Sequence, residues 1–372
     1  MSIPFFMNPL GKRAKDDYVP FDLNDPSLLD GIYGDMVWND ANITTSTIGN
    51  HQPGANYWVS RGAVHYGDGM VVTGPNDITN FIVSDTKDST YSMIASGLIG
   101  RIPSEGVVYC GNNKVLAIPC FNPQFVLVDM ITHTVERFAI GSASTTGNNS
   151  GGVYLGNGMA LAISHNAPFV LVNTTNKTAT YIGSSQGANA FYGGVYIGDG
   201  LVLAIPFGRK EFAIVDTVNL SISYFGTAIA DAYRCGVYIG DGKVLAIPAN
   251  ATQFAIVDPY NKTVDSFGPT FAGTHKWHGG VYIGNGKVIA IPCNASQMAI
   301  VDTINRTAEN VGPNLGAGTY KYIGGAFAGN GKILAARGLN AGGHLLIDLG
   351  AGYRTNNQIS EQAMLSAWLN KY

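Results

Sequence analysis

Gly279-Gly-Val-Tyr-Ile-Gly-Asn-Gly-Lys-Val-Ile-Ala-Ile-Pro292 is one copy of a pattern that returns along the whole chain. Gly194-Val-Tyr-Ile-Gly-Asp-Gly-Leu-Val-Leu-Ala-Ile-Pro206 and Gly236-Val-Tyr-Ile-Gly-Asp-Gly-Lys-Val-Leu-Ala-Ile-Pro248 are close copies, and weaker ones start at Gly62, Gly106, Gly152 and Gly325. The first glycine of the central turn falls at Gly67, Gly111, Gly156, Gly198, Gly240, Gly284 and Gly329, giving spacings of 44, 45, 42, 42, 44 and 45 residues. A self-similar period in the forties is the signature of propeller blades.

Each copy reads as four strands. In the sixth, strand A is Gly280–Ile283 and strand B is Lys287–Ile291, joined by Gly-Asn-Gly286. Asn-Gly between apolar runs signals a type I′ hairpin, whose two central residues both need positive φ. Pro292 ends strand B because it has no N–H for a ladder. Strand C is Gln297–Val301, and after the turn Asp302-Thr-Ile-Asn-Arg306 strand D is Thr307–Val311. Seven such sheets bury their faces only by stacking, and a closed ring buries them all. The seventh copy lacks a clear strand D, since Gly350-Ala-Gly-Tyr-Arg follows its strand C. Asn42-Ile-Thr-Thr-Ser-Thr-Ile-Gly49 aligns with the strand D segments Asn261–Gly268 and Asn305–Gly312. Residues 42–49 are therefore expected to pair with strand C of the seventh repeat and close the ring. The fold expectation is an all-β, seven-bladed propeller of four-stranded antiparallel blades, closed by an N-terminal strand.

The chain has 372 residues, 13% of them charged, and a formal net charge of −3, so no polyanion-binding surface is indicated. No apolar run reaches the roughly 18–20 residues of a membrane span. The opening Met-Ser-Ile-Pro-Phe-Phe-Met-Asn-Pro-Leu10 is broken by prolines and has no basic residue before its apolar patch, a poor secretory signal. Cys110, Cys120, Cys235 and Cys293 are read as four free thiols, because a ring holds the equivalent Cys120 and Cys293 apart. There is no Cys-x-x-Cys and no Cys/His spacing suited to zinc, so no metal or cofactor is expected.

Residues 1–36 carry no repeat, and Pro4, Pro9, Pro20 and Pro26 with mixed charges read as an extended arm. Residues 37–350 form the propeller, and 351–372 a tail. Met364, Leu365, Trp368, Leu369 and Tyr372 fall on one helical face, with Ser360 as N-cap. With Phe5, Phe6, Tyr18 and Phe21 of the arm, these residues are the candidate contacts to partner subunits.

The pattern Gly-Gly-Val-x-x-x-Asn-Gly-Lys-x-x-x-Ile-Pro, followed by a strand ending Val-Asp, resembles a propeller repeat family of protists, bacteria and tailed bacteriophages. It is related in architecture to kelch and WD-type propellers and lacks their signatures. The resemblance covers roughly residues 38–350 and is carried by Gly279, Gly280, Asn285, Gly286, Lys287, Ile291 and Pro292. Repeats one and seven depart at Thr73-Gly-Pro75 and Ala336-Arg-Gly338. The pattern specifies a fold and no activity. The short arm and the closing Leu365-Ser-Ala-Trp-Leu-Asn-Lys-Tyr372 look like the flanks of small tailed-phage virion proteins. That resemblance implies a virion or tail-appendage component, made in the host cytoplasm, whose partners are other virion subunits.

Asp85, Asp129, Asp216, Asp258, Asp302 and Asp348 recur at one position, the end of strand C. Asp there accepts backbone N–H groups two residues on, so the ring of carboxylates reads as turn chemistry. The Asn-x-Ser/Thr triplets at Asn173, Asn176, Asn219, Asn250, Asn261, Asn294 and Asn305 read as turn composition as well. The D–A loops are the candidate ligand-binding elements, because they are long, variable and aromatic. They hold Tyr57, Trp58 and Arg61; Phe191 and Tyr192; Tyr233 and Arg234; His275, Trp277 and His278; and Tyr320 and Tyr322. Amphipathic aromatics in a concavity suit sugar or peptide recognition. The competing reading is that an aromatic just before the glycine pair packs under the next blade. Trp277 with His275 and His278 departs most from the other copies.

No Gly-x-Ser-x-Gly, His-Glu-x-x-His, Walker loop or dinucleotide fingerprint occurs. The expectation is a non-enzymatic virion component that docks through its ends, with the loop face meeting a host glycan or a protein, and with no nucleic-acid binding or membrane insertion. Two alternatives stand beside it. One is an intracellular protein-interaction scaffold. The other is a lyase or hydrolase acting on carbohydrate through His275, His278, Tyr322 and Arg234.

Overall fold

The computed structural model describes residues 43–49, 60–75, 80–94, 104–120, 124–139, 149–226, 233–329 and 331–350. The proposed arm and tail helix, with Phe5, Phe6, Tyr18, Phe21, Met364, Leu365, Trp368, Leu369 and Tyr372, lie outside the described residues.

In blades 1 to 6 the hairpin turn has both central residues left-handed: Asp199 and Gly200 at φ 51° and 75°, Asn285 and Gly286 at 49° and 69°. Those are type I′ values, and the strands they join run antiparallel, with a bulge beside the turn between Tyr196 and Gly198 and between Tyr282 and Gly284. Blades 1 to 6 span 60–94, 104–139, 149–182, 191–225, 233–267 and 277–311, each a four-stranded sheet in sequence order A-B-C-D. Blade 7 takes strands A to C from Tyr322–Phe327, Lys332–Arg337 and His344–Asp348, and its outer strand is Thr44–Ile48. Thr44 pairs with Asp348 and Ile48 with His344, so the ring closes on an N-terminal strand, as the alignment of residues 42–49 implied. In blade 6 strand A is longer than read from sequence, Trp277–Gly284, which places Trp277 inside a strand.

Two neighbouring positions per copy, both glycine in blades 3, 4, 6 and 7, serve two contacts. The first lets strands A of neighbouring blades approach around the axis. A Cβ on Gly62 would stand 3.1 Å from the Cα of Gly106, one on Gly279 2.7 Å from that of Gly324, and one on Gly324 3.1 Å from that of Gly62. The second glycine receives the isoleucine of Ile-Pro from the preceding blade. A Cβ on Gly194 would meet Ile163 Cδ1 at 2.7 Å, and one on Gly236 would meet Ile205 Cδ1 at 2.9 Å. Val107 and Ala63 replace this glycine in blades 1 and 2 taken together, and the isoleucine position of the blade before each is Gly74 and Ala336 respectively. Volume lost on one side is regained on the other, as close packing demands. The same contacts build apolar cores between successive blades, such as Ile205, Phe212, Val244 and Ala246 between blades 4 and 5.

The strand ends divide the molecule into two faces. A–B and C–D turns make one, the turn face. There Asp129 Oδ1 accepts the N–H groups of Ile131 and Thr132, and Asp302 Oδ1 those of Ile304 and Asn305. The repeated carboxylates therefore hold turns, and Asn173 does the same work in blade 3. D–A and B–C loops make the other, the loop face. All four cysteines are free, and among the described residues no helix is long and apolar enough to cross a membrane.

Candidate binding site on the loop face

Backbone geometry sets the site before any side chain does. Asn189, His275 and Tyr320 occupy one place in three D–A loops, all left-handed at φ 52°, 51° and 54°. Non-glycine residues pay for that conformation unless neighbours fix it. Here an asparagine of the adjacent B–C loop accepts each N–H: Asn166 for Asn189 at 2.7 Å, Asn250 for His275 at 2.9 Å, and Asn294 for Tyr320 at 2.8 Å. Asn250 and Asn294 thus have a structural task, and the neighbouring loop backbones bond each other as well.

Two lysines lock the same loops from beneath. Lys276 Nζ donates to the carbonyls of Ala249, Ala251 and Gly273 at 3.0, 2.7 and 3.1 Å. Lys321 Nζ donates to Ala295 and Gly316 at 2.7 and 3.0 Å. Burial pulls the Lys276 amine down to about 8 and lowers that of Lys321. Both amines are buried and spent on backbone carbonyls.

On this frame stands a continuous arc of rings and one guanidinium. His165 stacks on Tyr192 at 5.5 Å between centroids, and Tyr192 meets Phe207 edge-on at 4.9 Å. The Arg234 guanidinium lies 4.3 Å from the Tyr192 centroid and 5.0 Å from that of Phe207. Its Nη1 stands 2.9 Å from His275 Nδ1. The His275 ring continues to Phe207 at 5.8 Å and to Tyr320 at 5.3 Å. Burial first, and Arg234 second, hold the His275 pKa below its ordinary 6.5. Tyr192, Phe207, His275 and Tyr320 are half-buried, so the arc borders solvent.

Of the residues singled out from sequence, Tyr192, Arg234, His275 and Tyr320 come together in this arc. His278 shares their face by register, since it holds the same place in strand A as Tyr192 and Arg234. Tyr233, Trp277 and Tyr322 do not join them. Each fills a core of its own, as Phe191 does in another, and Trp277 is 1% exposed, packed on Phe254 and Phe271 with its indole N–H donating to the Gln297 carbonyl at 3.2 Å. Strand alternation explains the split: the residue two before the first glycine enters the core, and its successor faces the channel mouth. Tyr57 and Trp58 lie outside the described residues, and Arg61 is placed only as a strand A backbone position. His165 and Phe207 were not anticipated. Both directly follow the strand B terminus, where other copies have Ala249, Cys293 and Gly338, and that departure from the repeat was the available signal.

An arrangement of this kind offers apolar ring faces with N–H and O–H groups at their edges, which suits the binding of a ligand with alternating apolar and hydroxylic surface.

No known family model matches the sequence, and a comparison with curated proteins finds no match. Solved structures show the fold. A streptogramin B lyase aligns with a TM-score of 0.66 at 10% identity, over 83% of this chain and 98% of that one. A catalytically inactive virginiamycin B lyase from Staphylococcus aureus with quinupristin gives 0.65 at 10% identity, over 82% and 98%. The WD40 propeller domain of Doa1 gives 0.58 at 14% identity, over 82% and 97%.

Proposed function

We propose that the protein is a non-enzymatic recognition subunit of a larger assembly, and that its loop face binds a saccharide of a host surface through the arc from His165 to Tyr320. The carrying observation is the arc itself: rings from the loops of four blades gathered on one face around Arg234. The non-enzymatic reading is supported by how the polar groups are used. Lys276 and Lys321 are bonded to backbone carbonyls, and Arg234 and His275 bond each other. The assembly reading, a tailed-phage virion, rests on the resemblance of the chain ends. It is supported by Thr44 and Asp348 pairing on the turn face, so that both flanking segments attach opposite the arc.

The test is binding of the purified protein to an array of bacterial surface oligosaccharides, alongside Phe207→Ala and Tyr320→Ala. Saturable binding by the parent, lost in either variant while its melting curve is kept, is the expected result. A second reading, a lyase, has the similarity to two lyase structures and the His275/His278 pair in its favour. Turnover of an arrayed saccharide, abolished by His278→Ala, would establish it in place of the first.

A further inference from the structure

The contact between Arg234 Nη1 and His275 Nδ1, 2.9 Å long, has only one chemical form. A guanidinium has donors and no acceptor, and it stays protonated at any working pH. His275 Nδ1 must therefore present its lone pair, which leaves the ring neutral with its proton on Nε2. A proton added to Nδ1 converts the acceptor into a donor and sets two cations face to face.

The ring is held where this matters. Its backbone N–H is bound by Asn250 Oδ1 at 2.9 Å, and its carbonyl accepts the Asn294 N–H at 2.9 Å. Arg234 faces it from strand A of blade 5, uncharged Phe207 from the B–C loop of blade 4, and the Tyr320 phenol from the next D–A loop. That loop also carries Lys321, whose amine bonds Ala295 and Gly316. On its own segment stand Lys276, its amine caged by three carbonyls, and His278. Burial and Arg234 both oppose protonation of the ring, and among the described residues no carboxylate is one of the groups acting on it.

We propose that the loop-face site is acid-gated: protonation of His275 breaks its bond to Arg234, separates the two halves of the arc, and releases ligand held at neutral pH. The release step rests on the binding reading above. The opening step does not, because it needs no ligand. His275 is the hinge between Arg234, stacked on Tyr192 and Phe207, and Tyr320 on the far side. Losing a hydrogen bond to a charged group weakens an equilibrium by about tenfold or more.

The opening is read first, on the full chain without ligand. Amide exchange of residues 273–278 and 320–322, corrected for intrinsic rates, is compared at about pH 7.5 and about pH 5, where an unperturbed imidazole changes charge. The His275 ring signals are titrated in parallel by NMR. His275→Gln keeps an acceptor for Arg234 and cannot be protonated in this range. Expected are a loss of protection in the parent that follows the His275 titration, and none in His275→Gln. Equal behaviour of parent and variant overturns the proposal. Should the variant fail to fold, a parent whose protection does not follow its own His275 signal overturns it equally. The oligosaccharide array is then read at both pH values. Parent signal that falls about tenfold or more in acid, in step with the His275 ring titration, while whatever signal His275→Gln has at about pH 7.5 does not change in acid, supports release. Binding that persists unchanged in acid overturns release while leaving the binding reading intact. An opening transition with a blank array at both pH values sinks the binding reading and leaves the gate standing.

Discussion

The repeat tyrosine after Gly-Gly-Val has one task; blade 1 does it with another residue, and blade 7 has Phe327 there, which carries no hydroxyl. In blades 3 to 6 the hydroxyls of Tyr154, Tyr196, Tyr238 and Tyr282 accept the N–H of the turn's second glycine at 3.1, 3.3, 3.0 and 2.9 Å. In blade 1 the acceptor for Gly69 is His65 Nε2, at 3.2 Å. Accepting requires an unprotonated nitrogen, and burial, partly offset by Asp68, pushes the His65 pKa down from 6.5 to about 4. The folded pKa lies below the unfolded one, so this contribution is whole above about 6.5 and drains away as pH falls toward 4. The full loss, reached below about pH 4, is on the order of 3 kcal/mol. The turn aspartates sit outside that window, because backbone N–H bonds hold Asp129 and Asp216 below their ordinary 3.8. His65→Tyr is therefore expected to leave the melting temperature nearly unchanged at neutral pH and to raise it near pH 4.5. Parallel melting curves for parent and variant across that range would show that His65 carries no pH dependence. Side-chain chemistry of this kind was legible only where a copy departs from the others. Trp277 was conspicuous as a departure, yet it differs from Phe191 and Tyr233 only in size and shares their core position. Phe207 and His165 departed too, but in the B–C loops, whose approach to the D–A loops is set by the long-range contacts of Asn166 and Asn250.

At the scale of strands and turns the sequence was easier to read, because each rule is stated at least six times over. A type I′ turn needs two left-handed residues, and Asp-Gly or Asn-Gly supplies them at little cost. The C–D turn obeys a less visible rule. Its fifth residue is also left-handed, yet it is Ser89, His133, Lys177, Leu220, Lys262 or Arg306, at φ between 52° and 60°. No glycine marks it. Leu220 is exposed and pays for that φ without burying its side chain. Leu220→Gly is expected to stabilise the protein by about 0.5–1 kcal/mol, the relief of left-handed strain less the added freedom of the unfolded chain. Unfolding by urea measures it, and a loss of stability would show that the leucine side chain matters there. The glycine–isoleucine contact between blades makes a coupled prediction. A Cβ on Gly236 lies 2.9 Å from Ile205 Cδ1 and 2.8 Å from Val244 Cγ1, so Gly236→Ala overpacks and costs about 1–3 kcal/mol. Ile205→Ala alone leaves a cavity and costs about 2–4 kcal/mol. The double variant should lose clearly less than the sum, because the new methyl enters the space the isoleucine vacates. Gly74 opposite Val107 and Ala336 opposite Ala63 are natural cases of the same exchange. Strict additivity in the cycle would refute the packing account.

Over the whole molecule one seam differs from the other six, because its outer strand comes from the far end of the sequence. Blades 1 to 6 are each continuous in sequence, and a local hairpin forms without closing a long loop. Blade 7 is complete only when Thr44–Ile48 finds His344–Asp348, some 300 residues away along the chain. Its five paired residues are backed by side chains: Ile48 is fully buried, in a core with Val71 of blade 1 and Leu334 and Leu346 of blade 7. Lys332 Nζ of blade 7 reaches across to the Thr86 carbonyl of blade 1 at 2.9 Å, and Gly324 meets Gly62 at the axis. Without the outer strand, strand C of blade 7 is an unpaired edge carrying Leu345, Leu346 and Ile347, which is the kind of edge that recruits other chains. Deleting residues 1–50 is therefore expected to lower the melting temperature steeply or to yield aggregates, whereas deleting residues 1–36 keeps the closing strand and serves as the control. Ile48→Ala, which leaves every backbone pair in place, should cost about 2–4 kcal/mol by emptying the seam core. A synthetic peptide of residues 41–50, added to the larger deletion, should restore part of the lost stability in a concentration-dependent way, since it binds only the folded ring. If the deleted protein melts as the parent does and ignores the peptide, the ring does not depend on that strand for its closure.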